Sequence, residues 1–154
     1  MRRGEVTLAD SAGNGLHEVP APDLEACCAA AVTAGLFCAR LDLAACRDKS
    51  GLLAALAEAL HFPDWFGHNW DALADCLDDL QWLPGQGVVL VLEHTGTLRA
   101  AAPQAYRLAC EILAEAAAGW RQRERPFHVL LAVTPPRRAR RTRTPSPTSR
   151  QDPR

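Results

Sequence analysis

In Pro63-Asp64-Trp65-Phe66-Gly67-His68-Asn69-Trp70-Asp71-Ala72-Leu73-Ala74-Asp75-Cys76-Leu77-Asp78-Asp79-Leu80, apolar side chains recur at Trp70, Leu73, Leu77 and Leu80, the spacing of one helical stripe. Asn69, immediately before the stripe, carries the side-chain oxygen of an N-cap, so a helix is predicted to start after it. Gly67 permits the turn that leads in. Asp71, Asp75 and Asp78 follow one another at i, i+4 and i+7, which puts three carboxylates on one face roughly opposite the leucines. Like charges at that spacing repel by a few tenths of a kcal/mol per pair. Asp71 alone lies in the first turn, where the helix dipole favours an anion, and no Lys or Arg stands at i±3 or i±4 to offset the others. A solvated helix face ordinarily mixes its signs, so this one points to a surface that meets something cationic.

The elements on either side define the fold class. Ser50 is a plausible N-cap for a helix through Leu60 with Leu53, Leu56 and Leu60 on one stripe, and Pro63 lies just past its end. Leu36 to Leu43 alternates Phe37, Ala39, Leu41 and Leu43 with Cys38, Arg40 and Asp42, which predicts a strand. Val88 to Leu92 is a short unbroken apolar run, the pattern of a strand covered on both faces. Pro103 fits the first turn of a helix reaching about Gly119, and Phe127 to Val133 supplies a last strand. Upstream, Pro22 can open a short helix ending near Gly35, whereas the residues before it mix Gly, Asp, Asn and Pro and read as an irregular lead. Strands alternating with helices imply an α/β fold: a small three-stranded parallel sheet flanked by about four helices, with right-handed crossovers.

With 154 residues and 48% hydrophobic content there is enough chain for one compact domain. The expected organisation is a partly helical extension over 1–33, a domain over 34–134, and a disordered Pro-, Arg-, Ser- and Thr-rich tail over 135–154. Arg137, Arg138, Arg140, Arg141, Arg143, Arg150 and Arg154 stand in that tail with a single acid, Asp152, so the net charge of -1 hides an acidic body. Ten bases against seventeen acids remain there, about -7 by formal counting. From Ser50 to Leu98 there is no Lys or Arg at all, against Glu58, Asp64, Asp71, Asp75, Asp78, Asp79 and Glu93. Six cysteines with no apolar signal region near Met1 are expected as reduced thiols in a cytoplasm, and no segment is apolar enough for a bilayer span.

Three chemistries suit a row of carboxylates. General acid/base catalysis needs a pocket and one raised pKa, and no matched second group is evident. A divalent cation held with His68 needs tight, Gly-turned oxygen spacing, and this is a plain helical pattern. Mimicry of phosphates toward a basic cleft needs only a preorganised row of acids. Cys76 beside Asp75 is expected to be a buried structural thiol, Glu93 to have a structural role, and Trp70 and Trp82 to pack in or near the core.

The run Phe66-Gly67-His68-Asn69-Trp70-Asp71-Ala72-Leu73-Ala74-Asp75-Cys76-Leu77 resembles the signature of the barstar family, aromatic-Gly-x-Asn-x-Asp-Ala-Leu-x-Asp-x-Leu. The resemblance spans about residues 34 to 133. It implies an intracellular protein inhibitor that binds one-to-one in the active site of a microbial guanyl-specific, barnase-like ribonuclease, with no catalytic residues, metal or cofactor and no membrane. By the same resemblance the partner-binding residues are Trp65, Gly67, Asn69, Asp71, Ala74 and Asp75, with Glu115 on the later helix. Two positions depart from the pattern: Ala74 stands where the better-known member has tryptophan, and His68 replaces an acid. The Arg-rich tail favours a different reading, a nucleic-acid-associated protein whose arm contacts phosphates, against which the acidic body stands.

Overall fold

The computed structural model describes Leu8 and residues 10–134. The expected tail over 135–154 and its disorder lie outside the described residues. The strands are β1 (Gly15–Pro20), β2 (Phe37–Asp42), β3 (Val88–Glu93) and β4 (Phe127–Val133), and the helices α1 (Leu24–Thr33), α2 (Lys49–Ala59), α3 (Trp70–Asp79), α4 (Gly96–Ala101) and α5 (Pro103–Gln122). All strand pairings are parallel, in the order β1-β4-β3-β2. The α/β class and the parallel sheet agree with expectation, but among the described residues the sheet has four strands and not three, with five α-helices beside it.

The fourth strand comes from the segment read as an irregular lead. Gly15-Leu16-His17-Glu18-Val19-Pro20 alternates weakly, and its pairing partner is more than a hundred residues away, Gly15 opposite His128 through Pro20 opposite Val133. Asn14 fixes the entry: its amide nitrogen donates to the carbonyls of Ala117 (3.0 Å) and Arg125 (2.9 Å), and its oxygen accepts from the Phe127 amide (2.9 Å). One side chain therefore joins β1 to the end of α5 and the start of β4. The helix α4 was also unexpected, because six residues carry too little periodicity to register, although Leu98 within it is fully buried.

Successive residues of the central strands serve opposite faces, as a pleated strand requires. Val88, Leu90 and Leu92 of β3 enter a large core with Leu52, Leu53 and Leu56 of α2, Leu73, Cys76 and Leu77 of α3, and Leu113, Ala117 and Trp120 of α5. Val89 and Val91 face the other way, into a smaller core with Leu130, Val19, and Leu24 and Ala31 of α1. The sheet thus separates two cores, α2, α3 and α5 covering one face and α1 the other.

Glycine sets two of the connections, one by close approach and one by its backbone angle. A Cβ at Gly87 would stand 2.5 Å from the Pro126 carbonyl oxygen, so β3 and β4 begin side by side only with glycine there. Gly35, at φ 81°, turns the chain from α1 into β2, with the Leu36 amide donating to Ala31 O at 2.9 Å. At α2 the cap is Asp48 and not Ser50: its carboxylate accepts from the Gly51 amide at 2.8 Å, and Ser50 already lies inside the helix.

Candidate functional site

The N-terminus of α3 forms as the sequence requires. Asn69 is extended (φ -139°), and its Oδ1 accepts from the Ala72 amide at 2.8 Å. Its Nδ2 donates back to the Gly67 carbonyl at 3.3 Å, so one side chain secures both the helix start and the loop before it. The left-handed residue of this turn is His68 (φ 55°), not Gly67. Gly67 instead gives room, since a Cβ there would come within 3.1 Å of Asn69 Nδ2.

A column of rings holds the loop against the body. Trp82 donates its indole N–H to the Leu60 carbonyl at 2.9 Å, and Phe62 meets Trp82 edge-on with centroids 6.3 Å apart. Phe62 packs against buried Phe66 at 4.8 Å, which in turn meets His68 at 4.7 Å. Offset and edge-on pairs of this kind each add about 0.5–1.5 kcal/mol beyond area burial. Trp65, next in sequence to the anchored Phe66, is 63% exposed. Side chains of this size are mostly buried, so its exposure on a loop fixed by its neighbour stands out.

Along α3, Leu73, Cys76 and Leu77 are buried, while Asp71, Ala74, Asp75 and Asp78 form the exposed stripe. Burial raises the Cys76 thiol pKa, and the neighbouring Asp75 and Asp79 raise it further, in keeping with a structural cysteine. The acids are not equivalent. Asp78 Oδ1 lies 2.6 Å from Arg123 Nη2, and Arg123 Nη1 donates to the Asp78 carbonyl at 3.0 Å. The counter-ion that local helical spacing did not reveal comes from the residue capping α5, 45 positions later. No hydrogen bond or ion pair with the described residues reaches the carboxylate of Asp71 or Asp75. Lys49, just outside the base-free window, sits with its ammonium 5.3 Å from the centre of the Trp70 ring.

Glu115 belongs to a different element, α5, and is exposed. Because α3 and α5 each run back before a strand of the same parallel sheet, they share one direction. Their C-terminal ends are joined by the Trp120 indole N–H donating to Leu77 O at 2.9 Å and by the Arg123–Asp78 pair. Five residues before Trp120, Glu115 is roughly level with Ala72, between the Asp71 and Asp75 turns. Six of the seven residues singled out by sequence thus share one loop and helix, and Glu115 stands on the neighbouring helix. Glu93 lies elsewhere, accepting from Arg40 Nε at 2.8 Å at the far end of β3, as a structural role requires.

No group of three or more His, Cys, Asp or Glu among the described residues could hold a metal ion. A cleft of about 420 Å³ lies at the carboxyl ends of β3 and β4, beside Glu93, His94 and Arg99, and includes none of the seven site residues. No helix among the described residues is long and apolar enough to cross a membrane. A family model described as Barstar (barnase inhibitor) matches residues 36–132. No curated protein matches the chain.

Proposed function

The chain belongs to the barstar family, and from that premise we propose that it is a cytoplasmic inhibitor that binds one-to-one to a microbial guanyl-specific ribonuclease and blocks its active site. The observation that carries this reading is the pair Asp71 and Asp75, one helical turn apart on an exposed face, neither paired to any described residue, beside a fixed loop that presents Trp65. A ribonuclease cleft is lined by cationic side chains that bind a phosphodiester and stabilise charge in its transition state. Carboxylates held one helical turn apart on a rigid helix can occupy such a cleft without the ordering cost a flexible chain would incur.

Within this reading the residues divide the work. Asp75, central on the stripe, makes the strongest contact, and Asp71 extends the row toward the loop. Trp65 stacks where a base would lie, Gly67 and Asn69 set the loop's shape, and Glu115 adds a carboxylate from α5. Ala74 puts only a methyl group between the two aspartates, so the partner meets no aromatic side chain there. Asp78, already neutralised by Arg123, contributes less.

Titration of purified chain into a guanyl-specific ribonuclease, and into any nuclease encoded beside its gene, tests the proposal. Stoichiometric loss of RNA cleavage with a 1:1 complex on a sizing column is the expected result. Full cleavage by every such nuclease in the presence of excess chain would sink it.

A further inference from the structure

On the sheet face away from the acidic helix, Leu24, Cys27, Cys28 and Ala31 follow at i, i+3, i+4 and i+7, the stripe by which α1 lies on the sheet. Cys38 of β2 points to the same side, since its neighbours Phe37 and Ala39 pack into the opposite core. Two contacts set how α1 and β2 align. At the turn, the Leu36 amide donates to Ala31 O at 2.9 Å, and at the other end Arg40 Nη1 lies 2.8 Å from Glu25 Oε2. Cys38 is midway between Leu36 and Arg40, and Cys28 is midway between Ala31 and Glu25. Even rise along each element therefore brings Cys38 opposite Cys28, and both side chains pack against the same small core. Both are half-buried, and no disulfide links them or any other described cysteine.

We propose that Cys28 and Cys38 are a dithiol site that low-molecular-weight disulfides oxidise reversibly to an intramolecular bridge, stapling α1 to β2. Burial first, and the Cys28 thiol second, push Cys38 up to about 12, with Arg40 opposing, so Cys38 stays protonated and the first attack is assigned to Cys28. The Cys28 thiolate attacks one sulfur of the small disulfide, forming a mixed disulfide and expelling one thiolate. Cys38 then gives up its proton to water and attacks the Cys28 sulfur, expelling the second thiolate. Two protein thiols lose two electrons, the small disulfide gains them, and both protons end on the released thiols. The bridge closes only residues 28–38, and the αβ turn has already brought its ends together. The acidic face lies across the sheet, so inhibition is independent of this chemistry.

The test equilibrates the full chain with oxidised glutathione in large excess, quenches in acid, alkylates, and maps the peptides by mass spectrometry. A Cys28–Cys38 cross-link is expected, together with a Tm increase of about 8 °C that dithiothreitol reverses. In Cys38→Ser a stable glutathione adduct on Cys28 is expected, in Cys28→Ser no bridge, and in Cys110→Ser the wild-type pattern. Glutathione adducts without a bridge in the wild type, a bridge that uses Cys27, or a full set of alkylated thiols would each overturn the proposal. None of these readouts involves a nuclease, so its failure and that of the inhibitor reading are separable.

Discussion

Asp75 and Asp78 occupy the same helical stripe three residues apart, yet they meet their surroundings differently. Arg123 already satisfies Asp78, so part of that acid's charge is spent inside the molecule. We expect Asp75→Ala to weaken inhibition by about 2–5 kcal/mol, the range for truncating one side of a desolvated charge pair, and Asp78→Ala by under about 1 kcal/mol. Inhibition constants for the two variants against one nuclease measure the difference. Trp65→Ala should cost about 2 kcal/mol or more of affinity while moving Tm by no more than a degree or two, because the ring is mostly exposed in the free protein. Calorimetric binding paired with a thermal melt separates those effects. The ordering of the aspartates was only half legible in the sequence: helical periodicity placed both on one face, but Arg123 reaches Asp78 across 45 residues that no local window spans.

Elements with a strong local signal formed where patterning placed them. The Phe127–Val133 strand and the start of α3 after Asn69 agree residue for residue, because an apolar run and a capping side chain are complete within a few positions. β1 was illegible because what holds it is non-local, namely its register with β4 and the three hydrogen bonds of Asn14. Asn69→Ala should lower stability by about 1 kcal/mol in urea unfolding, and weaken inhibition as well, since the same side chain shapes the loop that presents Trp65. A pH response resides in β4. His128 is fully buried, with Nε2 2.9 Å from the Leu8 carbonyl and the His17 ring 5.9 Å away. Burial first, with nearby His17 contributing, holds its pKa below the ordinary 6.5. The unfolded chain therefore binds the proton more readily, so the stability contributed by neutral His128 is complete above about pH 6.5 and is lost as pH falls below it, by at most about 1.4 kcal/mol per unit. Urea midpoints from pH 7.5 to 5 should fall in the wild type and fall less in His128→Gln.

As a whole the molecule is an acidic body whose proposed recognition surface lies mainly in a stretch without Lys or Arg. Association with a basic nuclease should accordingly slow at least tenfold between about 50 and 500 mM salt while dissociation changes little, as stopped-flow mixing will show. The family match begins at residue 36, past both β1 and α1. A chain trimmed to start there would uncover the β4 edge together with Val89, Val91 and Leu130, and we expect it to elute as aggregates and to lose its cooperative melt. The partition of the interior by the sheet has an evolutionary corollary. If the proposed inhibitor reading holds, substitutions that follow a changing adversary are expected on the α3 side. The α1 side packs a separate core across the sheet, so changes there are expected to tell on stability and not on the match.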